Sequence, residues 1–163
     1  MLRFGLLLAA AVIVADQITK FLAEMWLVAY HPVPLAALLD LTLSYNRGAA
    51  FSFLSNQGGW QRWLFIGVAL FVCFFLLRWL VQLHRHERWL AFALGLILGG
   101  ALGNAIDRLR YGHVVDFIDV HYGPWHWPAF NIADSAITVG LIGLLLQLLL
   151  FDRRRAHGSS GDH

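Results

Sequence analysis

Four long apolar runs, separated by shorter polar segments, constrain what this chain of 163 residues can fold into. Hydrophobic residues make up 59% of the chain and charged residues only 13%, against about 25% charged in an ordinary soluble domain. So few charges could not cover a soluble globule of this composition, and so much apolar surface excludes disorder. Because a membrane span needs about 20 mainly apolar residues, the pattern predicts a membrane protein of one domain with four spans.

The predicted architecture is an all-α membrane protein with four transmembrane helices and a small periplasmic β-sheet. We expect the helices at about 4–28, 63–83, 89–107 and 132–151 and the β-element at about 36–56. A single integral-membrane domain would cover 1–155, and 156–163 would be a disordered cytoplasmic tail. The start of the chain imitates a cleavable signal peptide. However, the apolar pattern continues past Asp16 to Leu27, which favours a retained helix.

Basic residues lie mainly at the ends of the apolar runs, so membrane topology explains the net charge of +2 better than a nucleic-acid partner. Cation excess marks the cytoplasmic side. We therefore expect both termini in the cytoplasm and the segments 31–62 and 107–131 outside. The cytoplasmic side would hold seven cations (Arg3, Arg78, Arg85, Arg88, Arg153, Arg154 and Arg155), and the outer side four (Arg47, Arg62, Arg108 and Arg110).

The first outer segment has the period of a strand. Apolar and polar residues alternate from Leu39 to Asn46, the triplet Asn46-Arg47-Gly48 favours a turn, and alternation resumes at Phe51. These features predict a β-hairpin that rests at the membrane surface, since an open sheet edge cannot lie in lipid. Aromatic residues suited to the membrane interface flank it: Trp60, Trp63, Tyr111, Tyr122, Trp125 and Trp127.

Polar residues inside the apolar runs are costly and therefore informative. Asp16 and Lys20 lie one helical turn apart in the first run, and two interpretations stay open: a structural ion pair or a part of the functional site. In the third run, Gly95, Gly99 and Gly103 form a small-residue ridge suited to close helix packing. This ridge leads directly into the polar cluster Asn104, Asp107 and Arg108.

Two aspartates at the outer ends of the later runs are the strongest candidates for chemistry. Asp116 lies between apolar pairs, and Asp134 follows the good N-cap residue Asn131 by three positions, so a capping role is an alternative for Asp134. Two carboxyl groups at one point do not both ionise readily. One can then activate water while the other, protonated, protonates the scissile amide.

Other chemistry has weaker support. The single cysteine, Cys73, is expected to be a core residue. The outer histidines His113, His121 and His126 do not match common zinc spacings, so we expect no metal. Ser135 suits a helix start better than a Ser/Lys pair with Lys20. Two rival functions stay open: a small proton-coupled carrier and a non-catalytic assembly subunit.

Four sequence blocks together resemble the bacterial lipoprotein signal peptidase (signal peptidase II) family. The resemblance spans about Phe4 to Phe151 and follows the family pattern throughout. The blocks are Asp16-Gln17-Ile18-Thr19-Lys20, Asn46-Arg47-Gly48-Ala49-Ala50-Phe51-Ser52, Gly103-Asn104-Ala105-Ile106-Asp107-Arg108, and Val115-Asp116-Phe117 with Phe130-Asn131-Ile132-Ala133-Asp134-Ser135.

The resemblance implies an aspartic endopeptidase of the bacterial inner membrane with its site at the periplasmic face. It would remove signal peptides from diacylglyceryl-modified prolipoproteins, cleaving N-terminal to the lipidated cysteine, as a monomer in contact with membrane lipid and without a cofactor. Asp116 and Asp134 match the catalytic pair. Positions that would shape the site are Asp16, Lys20, Asn46, Asn104, Asp107, Arg108 and Asn131, and we expect the hairpin residues Asn46, Arg47, Gly48 and Phe51 near the substrate.

Overall fold

A computed structural model of the chain describes residues 1–48 and 59–158. Its helices are long and apolar enough to cross a membrane, and they agree closely with the four apolar runs. The last helix is longer than predicted, since it continues to Gly158. Residues 156–158, which were expected in a disordered tail, are therefore helical. The helices are α1 (Leu2–Trp26), α2 (Trp60–Gln82), α3 (Arg88–Tyr111) and α4 (Ile132–Gly158).

Helix α3 is the centre of the helix bundle. Gly99 of the glycine ridge and Gly100 beside it explain how α1 and α4 approach α3 so closely. A Cβ added at Gly99 would lie 2.7 Å from the carbonyl oxygen of Ala9 in α1. One added at Gly100 would collide with the carbonyl oxygen of Ala133 in α4. These glycines let two backbones pack directly on α3. The packing brings the start of α4 beside the polar end of α3.

A four-stranded antiparallel sheet lies at one end of the bundle. Its strands follow one another in chain order: β1 (Val33–Ala36), β2 (Leu39–Asn46), β3 (Val114–Tyr122) and β4 (Trp125–His126). In the β2–β3 pair, Asp40 lies opposite Asp119 and Ser44 opposite Asp116, with a bulge in β2 between Leu41 and Ser44. The sheet joins the two outer segments, so it brings residues near 46 next to residues near 115.

The small sheet confirms the predicted fold class, but its strands differ in part from the predicted β-element. Strand β2 occupies the predicted alternating segment, and its described partners are β1 and β3. Strand β3 carries no strand prediction, because its polar residues Asp116, Asp119 and His121 follow no period of two and its first six residues are largely covered on both faces. The resumed strand predicted at 51–53 lies outside the described residues, as does the site candidate Phe51.

Candidate active site

Asp116 lies on β3 in an almost closed environment. Its exposed fraction is 2%. The side-chain amide of Asn131 donates to its Oδ1 at 2.7 Å, and that of Asn46 donates to its Oδ2 at 3.2 Å. Burial, and secondarily the negative charge of Asp134, raise the pKa of Asp116 to about 7. This carboxyl group can therefore hold or release a proton near neutral pH.

Asp134 occupies the third position of α4, where it closes a reciprocal cap with Asn131. The Asn131 backbone N–H donates to Asp134 Oδ2 at 3.3 Å, and the Asp134 N–H donates to Asn131 Oδ1 at 2.9 Å. The other carboxylate oxygen, Oδ1, accepts from the Asn104 amide at 2.7 Å. The predicted capping role is thus confirmed, and it coexists with a place in the polar cluster.

Asn131 is the residue that joins the two aspartates. It is fully buried, and its side-chain amide bonds Asp116 while its backbone and side-chain oxygen bond Asp134. The same amide lies 3.2 Å from the carbonyl oxygen of Val115. Three groups from one residue therefore fix the carboxyl on β3 relative to the carboxyl on α4.

A buried charge triad lies behind this pair. Lys20 Nζ lies 2.8 Å from Asp16 Oδ2 and 2.7 Å from Asp107 Oδ2, and it donates to Asn104 Oδ1 at 3.1 Å. The side chains of Asp16 and Lys20 are no more than 4% exposed. The Asp16–Lys20 pair is therefore a buried ion pair, and through Asn104 it also lies next to Asp134.

The two carboxylates of the triad also hold the backbone next to each candidate catalytic residue. Asp16 Oδ1 accepts from the N–H of Ala133, which precedes Asp134, at 2.9 Å. Asp107 Oδ2 accepts from the N–H of Val115, which precedes Asp116, at 3.2 Å. A rigid charged unit on α1 and α3 thereby positions both aspartates.

Gln17 belongs to this network, although no local sequence pattern singles it out. Its Nε2 donates to Asp107 Oδ1 at 2.7 Å and approaches Asp16 Oδ2 at 3.3 Å. A glutamine beside an ion pair has no distinctive spacing, so only the packing of α1 on α3 reveals this contact. Ser135 donates to the carbonyl oxygen of Asn131 at 2.9 Å, which supports its predicted capping role over a pair with Lys20.

Arg108 and the end of β2 border the pair on another side. The Arg108 guanidinium donates to the carbonyl oxygen of Gly48 at 3.0 Å and lies over the Phe65 ring, 5.0 Å from its centroid. The Gly48 N–H donates to Asn46 Oδ1 at 3.0 Å, as the predicted turn requires. Arg47 is exposed. The structure therefore brings Asn46, Gly48 and Arg108 to the site and places Arg47 at its rim.

A cleft of about 650 Å³ opens beside Asp134. Its polar lining includes Asn46, Asn104 and Arg108 together with Asp134, Ser135 and Thr138 of α4. The cleft continues along α4 to Val139, which is 53% exposed on a helix long and apolar enough to span a membrane. The segment that connects β4 to α4 forms the opposite wall. This wall consists of Trp127, Pro128, Ala129 and Phe130.

Comparisons with known proteins agree with this architecture. A family described as signal peptidase (SPase) II matches residues 8–150. The lipoprotein signal peptidase of Burkholderia mallei (strain SAVP1) is 53% identical over 154 residues, which cover 91% of this chain and 86% of that protein. The lipoprotein signal peptidase of Burkholderia cenocepacia (strain J2315) is 51% identical over the same length and coverage.

Solved structures show the same fold. A bacterial membrane enzyme determined by the in meso method at 2.3 Å resolution matches with a TM-score of 0.82 and 29% identity, covering 98% of this chain and 93% of that one. A second, at 1.9 Å resolution, matches with a TM-score of 0.77 and 31% identity, covering 90% and 93%. Together with the four apolar helices, these neighbours establish a multi-pass membrane protein.

Proposed function

Because the chain belongs to the signal peptidase II family, it cleaves lipoprotein signal peptides, and we propose that it does so as an aspartic endopeptidase. Asp116 and Asp134 would be the catalytic residues. The observation that carries this proposal is the double contact of Asn131, a fully buried residue that bonds both carboxyl groups. Membership of this family does not support the two rival functions, a proton-coupled carrier and a non-catalytic assembly subunit.

The proposed reaction needs one proton shared by the two carboxyl groups. The ionised carboxylate removes a proton from a water molecule, and the water oxygen attacks the scissile carbonyl carbon. The protonated carboxyl donates its proton to the developing oxyanion, which gives a neutral gem-diol. The carboxyl that took the proton from water then donates it to the amide nitrogen, while the other carboxylate takes a proton from the diol. The C–N bond breaks, which leaves a new carboxyl group and a free amine. The two carboxyls act as a coupled pair, so neither is assigned a fixed role.

The surrounding side chains would keep this pair in one geometry. Asn104 and Asn131 each donate to one oxygen of the pair, and the carboxylates of the Lys20 triad hold the adjoining backbone. Arg108 lines the cleft beside Asp134. Its positive charge would favour the oxyanion of the tetrahedral intermediate.

The shape of the cleft supports a substrate that enters from the bilayer. The cleft follows α4 outward to the exposed Val139, and this helix is long and apolar enough to span a membrane. A diacylglyceryl-modified prolipoprotein already holds its acyl chains in lipid, so its peptide can reach the pair by lateral movement. Cleavage would occur N-terminal to the lipidated cysteine. Asn46 at the end of β2, Arg47 after it, and Phe51 further along the chain would contact the extended peptide.

The cation distribution supports an orientation with both termini in the cytoplasm and the site at the periplasmic face of the inner membrane. Exposed Trp60, Trp63 and Trp125 surround the bundle end that holds the sheet, where interfacial anchors are expected. The protein would act as a monomer, as one domain over 1–155, and without a cofactor.

A gel assay tests the proposed function. Purified protein is added to a diacylglyceryl prolipoprotein and to its unlipidated form, and the new N-terminus is identified by mass spectrometry. We expect cleavage of the lipidated form alone, next to the modified cysteine. Equal cleavage of both forms would contradict the lipid requirement. Loss of activity on metal chelation, or full activity of the folded Asp116→Asn variant, would contradict the aspartic mechanism.

A further inference from the structure

We propose that a second group of ionisable residues, on the sheet and outside the catalytic pair, positions one wall of the cleft and makes substrate binding depend on pH. This sheet cluster consists of Asp40, Asp119, His121 and His126. The inference rests on the proposed function only in taking the cleft as the substrate site.

The register of the sheet brings the cluster together. Asp40 lies directly opposite Asp119 across β2 and β3, and His121 lies opposite His126 across β3 and β4. Asp119 and His121 are two positions apart on β3 and share one face, whereas Asp116, three positions from Asp119, points to the other face. The cluster is therefore separated from the catalytic pair by the strand itself.

Each carboxylate of the cluster has one imidazole within ion-pair distance. The contact of His126 with Asp119 is also a hydrogen bond, whereas the His121 ring makes no hydrogen bond within the described part of the chain. His126 Nδ1 lies 2.9 Å from Asp119 Oδ2, and His121 Nε2 lies 3.2 Å from Asp40 Oδ1. The two aspartate side chains are only 10% and 12% exposed, and the two imidazole rings stack with centroids 5.1 Å apart. Among the described side chains of residues 1–48 and 59–149, no lysine or arginine lies within ion-pair distance of either carboxylate.

The charged side chains on the neighbouring elements face elsewhere. Strand β1 (Val33–Ala36) has no ionisable residue, and its Pro34 lies opposite Asp40. On the other elements, Glu24 of α1 acts on Tyr45 and His113, His31 contacts the carbonyl oxygen of Ala29, and Asp107 and Arg108 of α3 contact Lys20 and Gly48. The imidazoles are therefore the described groups that can neutralise the two carboxylates.

This arrangement makes the sheet sensitive to protons. Like charges directly opposite each other destabilise a strand pair, and Asp40 and Asp119 form such a pair when both are ionised. Protonated His121 and His126 offset that repulsion with two ion pairs. Imidazole is the side chain whose charge responds most readily to a change between mildly acidic and mildly alkaline solution, so this compensation depends on pH.

The cluster is connected to the cleft through the backbone. His126 ends β4, and the next four residues are the cleft wall Trp127–Phe130. The Trp127 N–H donates to the carbonyl oxygen of Val120 at 2.8 Å, and Phe130 exchanges two hydrogen bonds with Ile118. Backbone hydrogen bonds therefore attach the cleft wall to β3, the strand that holds Asp119 and His121. Weaker pairing between β3 and β4 would make these hydrogen bonds break more often.

Hydrogen exchange tests the inference without any need for activity. Exchange of the Trp127 and Phe130 amides is followed at pH 5.5 and 8.0 and corrected for intrinsic rates. We expect about three- to fivefold greater protection at pH 5.5, in keeping with one partly exposed ion pair. His126→Gln would lower the protection at pH 5.5 to the pH 8.0 value. Asp40→Asn, which removes the opposed charge, would keep it high at both.

Asp116→Asn is the matched control, since it removes a titrating carboxyl from the other face of β3. In this variant the amide protection should depend on pH as it does in wild type, although the variant is expected to be inactive. The exchange result can therefore be read even if the proposed function is wrong. Equal protection at both pH values in wild type would overturn the inference, as would a dependence that survives Asp40→Asn. If His126→Gln does not fold, the isosteric Asp40→Asn decides.

A kinetic measurement separates positioning from mere stabilisation. The KM of wild type for a lipidated prolipoprotein should rise several-fold between pH 5.5 and 8.0. In Asp40→Asn it should stay constant, while the pH profile of kcat remains that of wild type. An identical KM profile in the two proteins would contradict a positioning role.

Discussion

The side-chain amide of Asn131 donates a 2.7 Å hydrogen bond to Asp116, a residue of another secondary-structure element. The same asparagine caps α4 through its contacts with Asp134. One residue thus sets the distance between a strand carboxyl and a helix carboxyl. This relationship makes the catalytic proposal testable apart from the aspartates themselves.

Replacement of Asn131 should separate its two roles. Asn131→Ser keeps an N-cap oxygen but loses the amide that bonds Asp116, so the helix should stay folded. Loss of a hydrogen bond to a charged group is worth about 1.5–3 kcal/mol, and we expect kcat to fall by roughly 10- to 150-fold. Activity assays and thermal unfolding in detergent would measure both. A serine variant with normal kcat would contradict the bridging role.

The rate should depend on pH through Asp116. The pKa of this carboxyl is raised to about 7 by burial and by the charge of Asp134, so the pair keeps a shared proton below that pH and loses it above. We therefore expect kcat/KM to fall about tenfold per pH unit well above pH 7. A profile of kcat/KM from pH 5 to 9.5 would check this, and a rate that stays constant to pH 9 would refute it.

Lys20 should be essential for folding because it neutralises two buried carboxylates. Lys20→Met leaves Asp16 and Asp107 without their cation, and breaking a buried pair from one side costs about 3–5 kcal/mol. We expect a large loss of folded protein in detergent and a lower Tm. Glu24→Gln, an exposed carboxyl on the same helix, is the control and should change Tm little. Similar Tm values for both variants would show that the triad is not important for stability.

Gly100, which lies beside the glycine ridge on α3, gives a second pair of matched variants. A Cβ at Gly100 would collide with the carbonyl oxygen of Ala133, next to Asp134, whereas a Cβ at Gly67 on α2 meets nothing within 4 Å. Gly100→Ala should therefore destabilise the protein by about 1–3 kcal/mol or more and lower activity, and Gly67→Ala should do neither. Equal effects of the two substitutions would mean that α3 and α4 do not pack as described.

The helices and most of the polar cluster could be predicted from sequence because apolar run length and costly buried charges are local signals. Asp134 shows the same success, since its capping position follows from its spacing to Asn131. Strand β3 was not predicted, because its polar residues follow no period of two and most of the strand is covered on both faces. Gln17 and the Asp40–Asp119 opposition depend on helix packing and strand register, which no local pattern encodes.

The central claim is that Asp116 and Asp134 act as one catalytic unit, and kinetics of single and double variants test it most directly. Asp116→Asn, Asp134→Asn and the double variant are compared for cleavage of a diacylglyceryl prolipoprotein, with Glu24→Gln as the control and Tm values to confirm folding. We predict that each single variant loses at least about 10³-fold in kcat and that the double variant is no worse, as for residues that work together. A folded single variant that retains a tenth of wild-type activity, or losses that multiply in the double variant, would contradict the account.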